Sequence, residues 1–212
     1  VRMPLGGGRS SAAQHSQSLH AWAAHIPGVK VVLPSTAGEC KGLLKTAVRD
    51  NNPVMFFEHK MLYTTKFNDV PEADEDVCIP FGKARIVTEG TDITVVANSM
   101  MTIKAEKAIR KLQKDGVSAE LIDLRTIVPL DTETIVRSVK KTGKLLIIDE
   151  GHVSFGITGE IAARIMPEVF YDLEAPIERM GTSDVPLPFS PALEFPLIPD
   201  EKKIAAKIRQ MV

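Results

Sequence analysis

Apolar positions along this chain recur with two periods, and the switches between them mark out its elements. Val29-Lys30-Val31-Val32-Leu33, closed by Pro34, predicts a strand, and Cys40, Leu43, Leu44 and Ala47, three and four residues apart, predict a helix over 37–49. The turn Asp50-Asn51-Asn52-Pro53 leads into Val54-Met55-Phe56-Phe57-Glu58, a continuous apolar run of the kind buried on both faces of a parallel sheet. Upstream, Val1-Arg2-Met3-Pro4 reads as the end of a strand entering a turn at Gly6-Gly7-Gly8. Leu19, Trp22, Ala23 and Ile26 then predict an amphipathic helix over 16–25, stopped by Pro27-Gly28.

The second half repeats the alternation. Strands are expected at 93–97, 119–124, 145–149 and 177–180, with helices at 102–114, ended by Gly116, at 132–141, capped by Asp131, and at 156–167. Six prolines from Pro176 to Pro199 predict an extended arm, and a last helix from Asp200 places Ile204, Ile208 and Met211 on one face. Short connections between strands and helices imply right-handed βαβ units and parallel sheets in both halves, an α/β fold. Between Asn68 and Asp76 stand five acids, Asp69, Glu72, Asp74, Glu75 and Asp76, with no base. Such a segment is a solvated connection and the expected domain boundary.

Composition narrows the function classes. The 212 residues allow one large domain or two small ones, and 44% hydrophobic with 25% charged residues suffices for a core without staples. Twenty-six basic against twenty-seven acidic residues argue against nucleic acid as a partner. No apolar stretch approaches the roughly 18 residues of a membrane helix. Cys40 and Cys78 match no metal or redox spacing. Because the chain opens with Val1, inside a strand, it is expected to be a fragment or processed form, and this N-terminus does not decide the compartment.

Signatures for phosphate-binding loops, zinc proteases and serine hydrolases are missing, and the glycines at 6, 7 and 8 lack the third glycine of a dinucleotide fingerprint. His20, His25, His59 and His152 are each expected to be satisfied surface or core residues. His15, which follows the glycine turn at the start of a helix between Gln14 and Ser16, is the candidate functional histidine, the alternative being a helix-end cap. Asp50-Asn51-Asn52 is either a simple turn or a wrapping for a hard cation. Glu150-Gly151-His152, at a strand's carboxyl end, is a weaker second candidate.

Three strings carry a resemblance: Ala13-Gln14-His15-Ser16-Gln17-Ser18, Ile26-Pro27-Gly28-Val29-Lys30-Val31-Val32-Leu33-Pro34, and Arg49-Asp50-Asn51-Asn52-Pro53-Val54. With Asp123-Leu124-Arg125-Thr126-Ile127-Val128-Pro129-Leu130-Asp131 and Leu173-Glu174-Ala175-Pro176-Ile177, they make essentially the whole chain resemble the β subunit of thiamine-diphosphate-dependent 2-oxoacid dehydrogenase complexes, in the transketolase superfamily. Phe56-Phe57-Glu58-His59-Lys60-Met61-Leu62-Tyr63 looks most like acetoin dehydrogenase β chains, with pyruvate and branched-chain 2-oxoacid dehydrogenases close behind.

The resemblance implies the rear part of a pyrimidine-binding domain over 1–67, a connection over 68–80 and a transketolase C-terminal domain over 81–212. It implies thiamine diphosphate shared with an α subunit that holds the diphosphate and Mg²⁺, an α2β2 assembly with a β–β contact, and acyl transfer to a lipoyl acyltransferase. The aminopyrimidine-activating glutamate of that family would lie upstream of Val1, so this polypeptide alone is expected to be catalytically silent but folded and dimeric. His15 falls on the family's active-site histidine, whose proton serves the sulfur leaving a lipoyl disulfide. Ala47, Asp50 and Asn52 fall on a K⁺ site. The substrate, acetoin or a 2-oxoacid, stays open, and the compartment would be the cytoplasm in a bacterium or the mitochondrial matrix in a eukaryote. A transketolase relative and a noncatalytic docking module remain as alternatives.

Overall fold

The computed structural model describes residues 1–69 and 76–212, so most of the acidic connection lies outside the described residues. The first half holds β1 (Arg2–Leu5), α1 (Ala12–Ser16), α2 (His20–Ala24), β2 (Lys30–Val32), α3 (Ala37–Arg49) and β3 (Val54–His59). The second holds β4 (Arg85–Thr88), β5 (Ile93–Ala97), α4 (Ser99–Leu112), β6 (Ala119–Asp123), β7 (Thr126–Val128), α5 (Thr132–Thr142) and β8 (Leu145–His152). It closes with α6 (Ile157–Val169), β9 (Glu178–Thr182), α7 (Pro191–Glu194) and α8 (Glu201–Met211).

Local chemistry sets the helix ends. The Thr36 and Asp200 side chains accept the N–H groups of Glu39 and Lys203, and the Asp131 carboxylate accepts that of Thr134. Gly143 ends α5 at φ 68°, with its N–H on the Val139 carbonyl. Leu43 of α3 buries against Val32, Val54 and Phe56, as its period requires.

Two sheets result, in the orders β1-β3-β2-β7 and β4-β6-β5-β8-β9. Parallel pairings dominate, as short βαβ connections demand. Two antiparallel edges, β4 on β6 and β7 on β2, were not legible in the pattern. β7 is only three residues long and begins just after Arg125, whose left-handed φ of 58° turns the chain as it leaves β6. It carries a strand of the second half into the first sheet, opposite Val31 and Val32. One core therefore spans both halves, with Leu33 and Phe57 packed in the same cluster as Val96, Leu124 and Ile147.

The helix expected over 16–25 is corrected. Two five-residue helices replace it, separated at 17–19, and Leu19, Trp22 and Ile26 are exposed while Ala23 and His20 are buried. The larger apolar positions, Leu19, Trp22 and Ile26, face outward, while the buried side carries Ala23 and His20, which reaches a carboxylate in the second half.

Candidate functional site

The carboxyl ends of the two sheets face each other, and the seam between them is filled with charged side chains. β1 and β3 end side by side at Leu5 and His59. Beyond Leu5 the chain turns through Gly6, whose φ is +100° and where a Cβ would stand 2.1 Å from His59 Nε2, so only glycine fits. A Cβ at Gly7 would meet Ile198 Cδ1 at 2.6 Å. Such close approach brings the loop's amides onto carboxylates of the second half. Gly7 N–H donates to Glu150 Oε1 at 2.7 Å, Gly8 N–H to Glu194 Oε1 at 2.9 Å, and Ser10 N–H to Glu194 Oε2 at 2.8 Å. His15 follows on the last turn of α1, exposed to solvent.

Two consecutive acids at the end of β8 each take a histidine from the first half. His20 Nε2 lies 2.8 Å from Asp149 Oδ2, and His59 Nε2 lies 2.8 Å from Glu150 Oε2. Met61 N–H donates to His59 Nδ1, which puts that ring's proton on Nε2. Burial by itself would raise the pKa of Glu150, but His59, Lys104 and the Gly7 amide outweigh it and hold the carboxyl at about 2. Asp149 is held low in the same way, against burial, by His20, Asn98 and Gly151 N–H. For His20, burial opposes the charge and Asp149 restores it, leaving the net pKa raised.

Farther along the seam, Glu39 in the first turn of α3 accepts Arg125 Nε at 2.8 Å and Ser35 N–H at 3.1 Å, and its Oε1 pairs with Arg85 Nε at 2.8 Å. Arg85 also reaches Asp123 at 3.4 Å. At the ends of β2 and β3 a cavity of about 320 Å³ opens between Pro34, Cys40, Glu58 and Tyr63. The Glu58 carboxylate there already accepts Arg2 Nη2 at 2.7 Å and Tyr63 OH at 3.1 Å. Burial, with Glu58 beside it, pushes the Cys40 thiol up to about 11, which leaves it unreactive.

The other candidate residues lie elsewhere. Asp50 and Asn52 precede the amino end of β3, about 17 Å of strand away from the edge where His59 stands. The Asp50 carboxylate takes the Lys30 ammonium and both Asn52 N–H groups, and Lys30 foremost lowers its pKa to about 2. Among the described residues, no group of three or more His, Cys, Asp or Glu side chains is placed to hold a metal. His25 is exposed, and His152 donates from Nδ1 to the Ser183 carbonyl. In the Glu150-Gly151-His152 candidate, then, the glutamate belongs to the seam and the histidine does not. Sequence reading missed Glu194. Its neighbourhood looked like a proline-rich arm, and no local pattern announced a buried acid.

Comparison with known proteins agrees with this two-part architecture. Residues 1–66 match the transketolase pyrimidine-binding domain and residues 82–204 the transketolase C-terminal domain. The chain is 46% identical over 210 residues to the pyruvate dehydrogenase E1 component subunit beta of Rickettsia felis, with 99% of this chain and 64% of that protein covered. It is 43% identical to the 2-oxoisovalerate dehydrogenase subunit beta of Bacillus subtilis, covering 100% and 64%. It is 44% identical to the acetoin:2,6-dichlorophenolindophenol oxidoreductase subunit beta of Cupriavidus necator, covering 99% and 61%. The chain thus spans less than two thirds of the length of these relatives. A split-gene transketolase, solved as an inactive beta4 tetramer, shares the fold with a TM-score of 0.77 at 24% identity over 99% of this chain and 65% of that one. With both domain families matched in order and a parallel-dominated α/β fold to carry them, the chain belongs to the transketolase family, as a pyrimidine-binding segment followed by a transketolase C-terminal domain.

Proposed function

We propose that this chain serves as part of the β subunit of a thiamine-diphosphate-dependent dehydrogenase component, acting on acetoin or a small 2-oxoacid and passing the acyl group to a lipoyl acyltransferase. The three relatives, named for pyruvate, 2-oxoisovalerate and acetoin, are 43–46% identical to this chain, so they support the class of substrate rather than one member. The observation that carries the reading is the place of His15. It is exposed on α1, directly after a loop at the facing carboxyl ends of two α/β sheets, where such folds carry their ligands.

The glycine loop of this chain offers no free amides to a diphosphate. The amides of Gly7, Gly8 and Ser10 are taken by Glu150 and Glu194, whose charges would repel a phosphate. We therefore assign the diphosphate and Mg²⁺ to an α subunit in an α2β2 assembly. Thiamine diphosphate, when bound, supplies the carbanion that opens the bond beside the substrate carbonyl. His15 gives its proton to the sulfur that leaves as the lipoyl disulfide is broken and the other sulfur takes the acyl group. The units doing this are 1–67 and 81–212, joined over 68–80. A K⁺ ion at Ala47, Asp50 and Asn52 would use carbonyl oxygens, since Lys30 already holds the Asp50 carboxylate. Relatives named from bacteria and from mitochondria suit either compartment, and no helix among the described residues is long and apolar enough to cross a membrane.

The test is lipoamide acylation by the full-length β chain assembled with its α subunit. His15→Ala should lower it by about 10² to 10⁴. Unchanged turnover rejects the assignment, and a preparation that assembles without any acylation favours a docking role instead.

A further inference from the structure

The stretch that delivers His15 is strained. Gly6, Gly8, Ser10 and Ala12 alternate in the left-handed region, at φ 100°, 86°, 54° and 54°, and two of them are not glycine. Left-handed serine and alanine cost energy and persist only where the surroundings impose them. Around residues 7–10 the surroundings are two carboxylates from the second half. Glu194, fully buried, accepts Gly8 N–H on Oε1 and Ser10 N–H on Oε2, with Ser10 Oγ at 3.2 Å from the same Oε2. Glu150, 6% exposed, accepts Gly7 N–H and, at 3.3 Å, Ser18 Oγ. Their contacts bracket α1 from both sides, at residues 7–10 and 18. Ile198 and Leu187 of the proline-rich arm press on Gly7 from the same direction.

We infer that Glu194 and Glu150 are positioning residues for His15. A pair of buried carboxylates in the C-terminal domain clamps the strained loop, so the imidazole's direction is set from across the seam. This rests on the reading of His15 as the acyl-transfer histidine. A carboxylate suits the task because its two oxygens, both acceptors, can take two converging amides at once, whereas a carboxamide turns one donor toward an N–H.

The test uses the full-length chain assembled with its α subunit, and compares Glu194→Gln with His15→Ala. Glu194→Gln is expected to lower kcat for lipoamide acylation about 10- to 100-fold with KM for the lipoyl substrate within twofold. Amide exchange over residues 6–18 should rise by at least about 10-fold while the exchange of β5 and β6 stays as in the parent. Faster exchange with parental kcat overturns the positioning role, and so does a lowered kcat with parental exchange. If His15→Ala leaves acylation intact, the functional reading fails, and the exchange result still decides whether the clamp exists. Should Glu194→Gln fail to fold, Glu150→Gln carries the same readouts at Gly7 and Ser18, with the same outcomes decisive.

Discussion

Two buried acids on one seam, Glu150 and Asp123, are driven in opposite directions. Both stand at carboxyl ends of strands in the second sheet, β8 and β6, and both face the first half. Glu150 takes His59 and the Gly7 amide undivided, with Lys104 nearby, and its carboxyl is held down at about 2. Asp123 is pushed up to about 7, by burial first and by the Glu39 carboxylate second, and Ser35, Arg85 and the Arg125 amide recover only part of this. Arg85 is divided between two carboxylates there. The difference shows that burial does not set the state of a seam acid. The share of donors each acid receives does, and the one with undivided donors is the one that pins the His15 loop.

Removing each acid should separate the two regions most sharply. Glu150→Ala leaves His59 and the Gly7 amide unpaired in a buried place, and a loss of about 3 to 5 kcal/mol in urea unfolding is expected. Asp123→Asn keeps an acceptor for Arg125 N–H and removes the repulsion with Glu39, so at pH 7 it should not destabilise the fold and is expected to raise its stability. Equal losses would end the distinction. Gly6→Ala comes next, at about 2 kcal/mol or more, because a methyl group there strikes the His59 ring at a φ that alanine resists. A variant as stable as the parent would show that the loop moves freely.

The pH dependence has opposite signs in the two places. Glu150 has a folded pKa below its ordinary 4.5, so its contribution is present above 4.5 and lost as pH falls toward 2. Asp123 has a folded pKa above its ordinary 3.8, so its contribution is complete below 3.8 and lost as pH rises through about 7. Unfolding midpoints measured from pH 3 to 8 should therefore lose their neutral-side slope in Asp123→Asn and part of their acid-side slope in Glu150→Gln. Interchanged effects would refute the assignment. The smallest change is expected far from the seam. Asp50→Asn breaks a part-buried pair with Lys30 and should lower the midpoint only slightly in Na⁺ buffer.

Much of this protein was legible in its residues. Periodicity located α3, β3, β5, β6, α5 and α8 within a few residues, because their apolar faces follow the backbone repeat and their caps are local. The matched strings placed His15 in a family, and the weak Glu150 candidate stood at a strand's carboxyl end. What failed did so for one physical reason. Spacing reports that a face is apolar, not where it points, so Trp22 and Ile26 were read as packing residues and lie exposed. Nor does spacing report partners distant in sequence. Glu150 meets Gly7 across 143 residues, Glu194 meets Gly8 across 186, and β7 crosses into the other half's sheet. Strand, helix and the family string around His15 are local or string-like properties, which the sequence by itself determined. The left-handed turn before that histidine and the partners of each seam acid depend on which groups meet where the carboxyl ends of the two sheets face each other, and only the tertiary structure decided that.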